Sequence, residues 1–170
     1  MNASWNRNEN ALEKISLALS PGELLVVTGA VGSGKSSLLT SLMDELVVTS
    51  GSCKSTGRVS FCPQEAWIFV GTVRENILFG QEMDEAKYER VVEAAALRHD
   101  FELLPVGDQT LIGDKGTALS GGQRARINFA RAIYREADIY LLDDPFSAVD
   151  PKVGKKLANS VQFFLKVKKY

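Results

Sequence analysis

Gly29, Ala30, Val31, Gly32, Ser33, Gly34, Lys35 and Ser36 fit the pattern G-x-x-x-x-G-K-[ST]. Glycines let a backbone wrap close to anionic oxygens through conformations that a Cβ would block. N–H groups at the start of the following helix then point at phosphate. Lys35 can set its ammonium on the terminal phosphates and Ser36 can offer a hydroxyl to Mg2+. The pattern therefore implies a nucleoside triphosphate site. A second group is the apolar run Ile139–Leu142, which ends in Asp143 and Asp144. Asp143 is expected to hold Mg2+, directly or through water, and Asp144 to orient or polarise an attacking water. An apolar strand ending in solvated carboxylates is ordinary by itself; the glycine loop is what gives it a metal to bind.

Such groups need elements to carry them. Three short apolar runs bounded by turn signals read as buried strands: Leu24 to Thr28, Arg58 to Cys62 and Ile139 to Leu142. Helical spacing of apolar residues covers Lys35 to Leu46, Asp84 to Leu97 and Gln123 to Arg135, the last with Ser120 available as its cap. Strands alternating with helices indicate an α/β domain with a mainly parallel sheet. The helix-rich interval from Ala66 to Ala132 reads as a lobe inserted between two strands.

Leu119-Ser120-Gly121-Gly122-Gln123 resembles the signature motif of ATP-binding-cassette proteins. The resemblance implies a P-loop NTPase core of the RecA-like kind with an inserted α-helical lobe. It sets the cassette at residues 1–155, with a core of 1–65 and 133–155, a lobe of about 66–132, and a divergent tail at 156–170. It further implies that Leu119 to Gln123 grip, in trans, the nucleotide held by a second nucleotide-binding domain in a head-to-tail dimer. Gln64 falls where the family has a glutamine that senses Mg2+ and contacts the transmembrane partner. Trp5 falls where an aromatic ring stacks on adenine, and Phe146 to Asp150 matches the loop at the dimer interface. The nucleotide-binding set is then Trp5, Gly29 to Ser36 and Ser37. The metal set is Ser36, Gln64 and Asp143, and Lys35, Gln64 and Asp144 serve catalysis.

Finer matches resemble the multidrug-resistance-associated subfamily of exporters, and within it the first cassette. They are Pro63 to Ile68, Gly71 to Gly80, Val106 to Asp108 and Ile112 to Gly116. Asp144 agrees, since first cassettes there often carry Asp where a catalytic Glu is usual. The implied ligands are ATP and Mg2+. The implied setting is the cytoplasmic face of a membrane beside transmembrane domains, with organic anions or drugs as cargo. The expected activity is ATP hydrolysis, impaired in this chain alone.

Composition agrees with that setting. The 170 residues are 45% hydrophobic and 24% charged with a net charge of -1, the balance of one globular domain. Near-neutrality argues against a nucleic-acid partner, and no apolar run is long enough to cross a bilayer. Cys53 and Cys62 have no metal-like spacing with His99, and are expected to be reduced thiols.

Two departures temper the match: the sequence begins at the adenine-stacking region, where a complete exporter has transmembrane domains before its cassette, and a family histidine is missing. No histidine follows Asp150, where the family has one on a strand lying between those that lead to Gly29 and end at Asp143. Without that strand, two sheet edges would lack partners. The chain therefore reads as truncated. Its tail is expected to form a short helix over Pro151 to Asn159, then a strand over Val161 to Val167 that partly fills the gap. A rival reading is a nucleotide-binding module without turnover, separated from the first by measuring ATP turnover. Another is a soluble cassette acting on ribosomes or DNA, against which the charge and the finer motifs count.

Overall fold

The computed structural model describes residues 1–6, 9–113 and 116–167. It divides into two compact units, Met1–Val59 and Ser60–Tyr170, each considered by itself.

The first unit is built on an antiparallel sheet in the order β2-β1-β3, from β1 (Asn2–Asn6), β2 (Glu9–Leu12) and β3 (Val47–Ser50). Helix α1 (Lys35–Ser41) packs on it through Leu38, which joins Ala3, Leu12 and Leu46 in a small apolar cluster. The helix is shorter than the apolar spacing to Leu46 suggested. After Ser41 the bonds tighten to i→i+3, Leu42 N to Leu39 O at 3.1 Å and Met43 N to Thr40 O at 3.1 Å. Asp44 then turns left-handed at φ 60°, a conformation that ends helices.

The strand expected at Leu24 to Thr28 is not formed. Leu24, Leu25, Val26 and Val27 are exposed and join no ladder among the described residues. A strand is held by the N–H and C=O groups of its neighbours, and apolar composition cannot replace them.

The second unit contains the larger core. β4 (Val59–Cys62), which begins at the unit boundary, pairs with β7 (Ile139–Leu142). β5 (Gly71–Thr72) pairs antiparallel with β6 (Leu111–Ile112). Between them run α2 (Val73–Leu78), α3 (Glu85–Ala94), α4 (Arg98–Leu103) and α5 (Gly121–Tyr134). Three of these four starts carry a side-chain cap: Thr72 and Ser120 make capping boxes with Glu75 and Gln123, and the Asp84 side chain accepts from Lys87 N at 2.9 Å, whereas α4 begins after Leu97 without one. Helix α3 ends near Ala96, which is left-handed at φ 53°. Ile77, Val91, Leu97, Ile127, Phe129 and Ile133 fill the centre, and full burial of such a side chain is worth about 1.5–3 kcal/mol.

The chain is thus mixed α/β, as expected, but among the described residues its strands lie in three small sheets rather than one. The tail corrects a second expectation: Pro151–Val167 is one helix, α6, with no strand at Val161 to Val167. Val153, Leu157 and Val161 recur every four residues, and Leu157 and Val161 are buried in the second unit's core. That contact rewards the helical period over the alternation of branched residues.

Candidate functional site

In the first unit, the glycine loop has the backbone its sequence requires. Gly32 and Gly34 lie at φ 81° and 91°, in the left-handed region. A Cβ on Gly34 would come within 3.1 Å of Ala11 O, and one on Gly29 within 2.8 Å of Ser33 Oγ. The loop is therefore shaped for glycine by conformation and by space. Lys35, the first residue of α1, donates from Nζ to Gly29 O at 2.9 Å and Ala30 O at 2.7 Å. Its ammonium is folded over the loop mouth, where an anion can exchange places with those carbonyls. Val31 at the tip is fully exposed. Trp5 on β1 is 58% exposed and donates from Nε1 to Ser37 Oγ at 3.2 Å. An indole face thus lies beside the helix that follows the loop.

In the second unit, Asp143 follows β7 directly, and its N–H donates to Cys62 O at the end of β4 at 2.9 Å. Gln64 is two residues past Cys62 and exposed, so it and Asp143 leave the paired strands at the same end. Asp144 is exposed and left-handed, at φ 41°, a conformation non-glycine residues adopt rarely. Its carbonyl accepts from Ser147 N at 3.3 Å and Ser147 Oγ at 3.1 Å. Among the described residues no three His, Cys, Asp or Glu side chains converge as a metal cluster. Glutamine and one or two carboxylates are still oxygen donors of the kind that suit Mg2+.

The signature stands at the start of α5. Ser120 Oγ accepts from Gln123 N at 3.2 Å, and Gln123 Oε1 accepts from Ser120 N at 2.9 Å. Gly121 and Gly122 face the loop after Asp144: a Cβ on Gly122 would lie 3.2 Å from Ala148 O, and one on Gly121 3.8 Å from Ala148 Cβ. Further along, Arg126 makes a two-pronged bond with the buried Asp100 of α4, at 2.7 Å for each prong.

The structure thus brings Trp5 and Ser37 together beside the loop in one unit. In the other, it sets Gln64 and Asp143 just beyond the same ends of two paired strands, and the signature glycines against Ala148. Sequence reasoning passed over Asn76, Asn128 and Arg131, buried polar residues that hold the segment on both sides of Gln64. Their signal was weak, because Asn and Arg inside an apolar helical stripe are read as its solvated edge. Cys62 is 1% exposed, and burial chiefly pushes its thiol up to about 12, with Asp143 adding to the rise and Arg131 opposing it. His99 is exposed on α4, its Nδ1 3.2 Å from Glu102 Oε2.

Comparison with known proteins agrees with these motifs. The family described as ABC transporter matches residues 12–147. ATP-binding cassette sub-family C member 4 of Mus musculus is 52% identical over 157 residues, 91% of this chain and 12% of that protein. Sub-family C member 2 of the same species is 50% identical over 159 residues, 93% of this chain and 10% of that one. A probable multidrug resistance-associated protein of Drosophila melanogaster is 50% identical over 159 residues, 92% of this chain and 12% of that one. The chain spans only a small part of each relative's length.

Proposed function

The chain belongs to the ABC transporter family and resembles the nucleotide-binding domains of its multidrug-resistance-associated members, and from this we propose that it is the ATP-binding cassette of an exporter. The observation that carries the reading is the glycine loop, with Lys35 bonded across its mouth and Trp5 beside Ser37.

In this reading Trp5 stacks on adenine, and the N–H groups of Gly29 to Ser37 receive the phosphates. Lys35 exchanges its loop carbonyls for the terminal phosphates. Ser36, Gln64 and Asp143 would hold Mg2+, which when bound neutralises charge building on the phosphate oxygens. Asp144 accepts a proton from, or orients, the water that attacks the terminal phosphorus. Little covalent work is asked of the protein; positioning and charge carry the rate. Ser120 to Gln123 act in trans on the nucleotide of a second cassette. Gln64 relays the metal's state to transmembrane domains that carry organic anions or drugs. Residues 1–65 and 133–155 serve as nucleotide-binding core and about 66–132 as helical lobe. The place of work is the cytoplasmic face of a membrane; among the described residues no helix is long and apolar enough to cross one.

A second reading, a nucleotide-binding module with little turnover, is favoured by Asp144, whose carboxylate reaches less far than glutamate, and by the unpaired Leu24 to Thr28 run before the loop. Lys35→Ala tests what both readings share. Losing a charge-assisted contact should weaken ATP binding roughly tenfold to a hundredfold, while Asp144→Ala leaves binding largely intact. Equal affinity of Lys35→Ala and the parent for labelled ATP would refute the phosphate-loop assignment. Turnover of the parent chain then chooses between the readings.

A further inference from the structure

Gln64 stands in a stretch without a ladder of its own: residues 63–70 form no strand. The backbone groups of such a segment must find partners elsewhere, and here side chains of two helices supply them. Asn128 of α5 donates from Nδ2 to Pro63 O at 3.2 Å and to Cys62 Sγ at 3.3 Å. Arg131, three residues on and on the same helix face, donates from Nη1 to Trp67 O at 3.1 Å. Asn76 of α2 donates from Nδ2 to Phe69 O and Thr72 O, each at 3.0 Å, and accepts from Phe69 N at 3.1 Å. The two contacts from α5 fall on either side of Gln64, at Pro63 and at Trp67.

Arg131 is a costly residue for a plain structural brace. It is 7% exposed. Its guanidinium donates to Asn76 O at 2.7 Å, Asn76 Oδ1 at 2.9 Å and Asn128 Oδ1 at 3.5 Å, besides Trp67 O. All are neutral carbonyl oxygens. Burial pushes its pKa down to about 10, which still leaves it charged at neutral pH. The Trp67 ring lies 4.1 Å away, with Phe79 and Phe69 at 5.5 Å and 5.9 Å. An apolar side chain of similar size would pack there with less desolvation. It could not hold the Trp67 carbonyl and both Asn76 oxygens with one planar fork.

We propose that Asn128 and Arg131 are positioning residues that fix the Gln64 loop to α5, the helix that starts at Ser120. Arg131 lies about 16 Å along α5 from its cap. One rigid helix therefore carries the signature at its start and the grip on the Gln64 loop near its end. The proposal rests on the reading of Gln64 as a metal contact.

The test uses the whole chain with Trp5→Phe, which leaves Trp67 as the sole tryptophan. Arg131→Lys and Asn128→Ala are compared with it, with far-UV circular dichroism to check that helix content is kept. Acrylamide quenching of Trp67, already 45% exposed in the parent, should rise by up to about twofold in both variants, without nucleotide. ATP affinity is then measured with and without Mg2+. Both variants should lose roughly tenfold of the Mg2+-dependent gain, as Gln64→Ala does, with Mg2+-free affinity unchanged. Lysine keeps the charge and loses the fork, so no rescue by Arg131→Lys points to geometry. Quenching that stays at the parent value in both variants overturns the proposal. So does a loss of Mg2+ dependence confined to Gln64→Ala. If Gln64→Ala itself has no effect, the reading of Gln64 fails, and quenching alone decides whether α5 fixes the loop. Should Arg131→Lys lose helix content, Asn128→Ala carries the same comparison.

Discussion

Residues 1–59 and 60–170 carry comparable shares of chemistry on unequal foundations. The first unit holds the glycine loop, Lys35, Ser36 and Trp5 over a cluster of four buried apolar residues, Ala3, Leu12, Leu38 and Leu46. Leu17, Leu19 and Leu24 to Val27 are exposed in it. The second unit holds Gln64, Asp143, Asp144 and the signature over a continuous core from Cys62 to Val161. A phosphate loop needs only the dihedral freedom of Gly32 and Gly34 and a helix start, and both are local. A buried strand such as Leu24 to Thr28 needs neighbours on either side, and composition cannot supply them. A locally encoded motif can therefore take up its backbone shape where the apolar run before it joins no ladder among the described residues.

The two thiols, one in each unit, should show the largest contrast. Cys53 is half-buried, whereas Cys62 is buried and its pKa is pushed up to about 12. At pH 8, alkylation of Cys62 should lag far behind that of Cys53, because Cys62 is buried and its thiolate, the reactive form, is scarce. The sign of the linkage follows. The folded chain holds the Cys62 proton more tightly than the unfolded one, so this stabilisation is complete below about pH 9 and fades as pH rises towards 12. Mass spectrometry of alkylated peptides over time checks the rates, and equal rates would mean that the second unit's core opens as readily as the first unit's surface.

Next in size is truncation of matched apolar residues. Phe129→Ala removes a fully buried ring and should cost about 3–5 kcal/mol in denaturant unfolding. Leu25→Ala, at a residue 46% exposed, should change stability by less than about 0.5 kcal/mol. A large loss from Leu25→Ala would show that the first unit relies on that run after all.

A smaller contrast concerns the two helix starts. Ser120→Ala removes the hydroxyl that accepts from Gln123 N and should cost about 1 kcal/mol. Replacing Gly34, the residue before α1, by alanine tests the other helix start. Its φ of 91° and the nearby Ala11 O make any Cβ strained there, whereas Ser120 can be trimmed without strain. A Gly34→Ala chain as stable as the parent, by the same denaturant titration, would show that the loop relaxes freely.

The sequence alone determined what is encoded within a few residues. The loop at Gly29 to Ser36, the carboxylates after Leu142, and the cap at Ser120 were legible because each is a rule about neighbours in the chain. So was the helix from Gly121 to Tyr134, whose apolar stripe at Ile127, Ala130 and Ile133 meets the core. Tertiary structure decided what depends on distant partners. Among the described residues it left Leu24 to Thr28 outside any ladder, and it paired β1 with β2 and β3. It turned Val161 to Val167 from an expected strand into the end of a helix, because Leu157 and Val161 found the core at helical spacing. It also made Asn128 and Arg131 internal, where an amide and a guanidinium could pair with a loop 64 or more residues away in sequence. Short-range rules specify donors, turns and periods; whether a strand has a neighbour, or a polar side chain a buried acceptor, is settled only when remote segments meet.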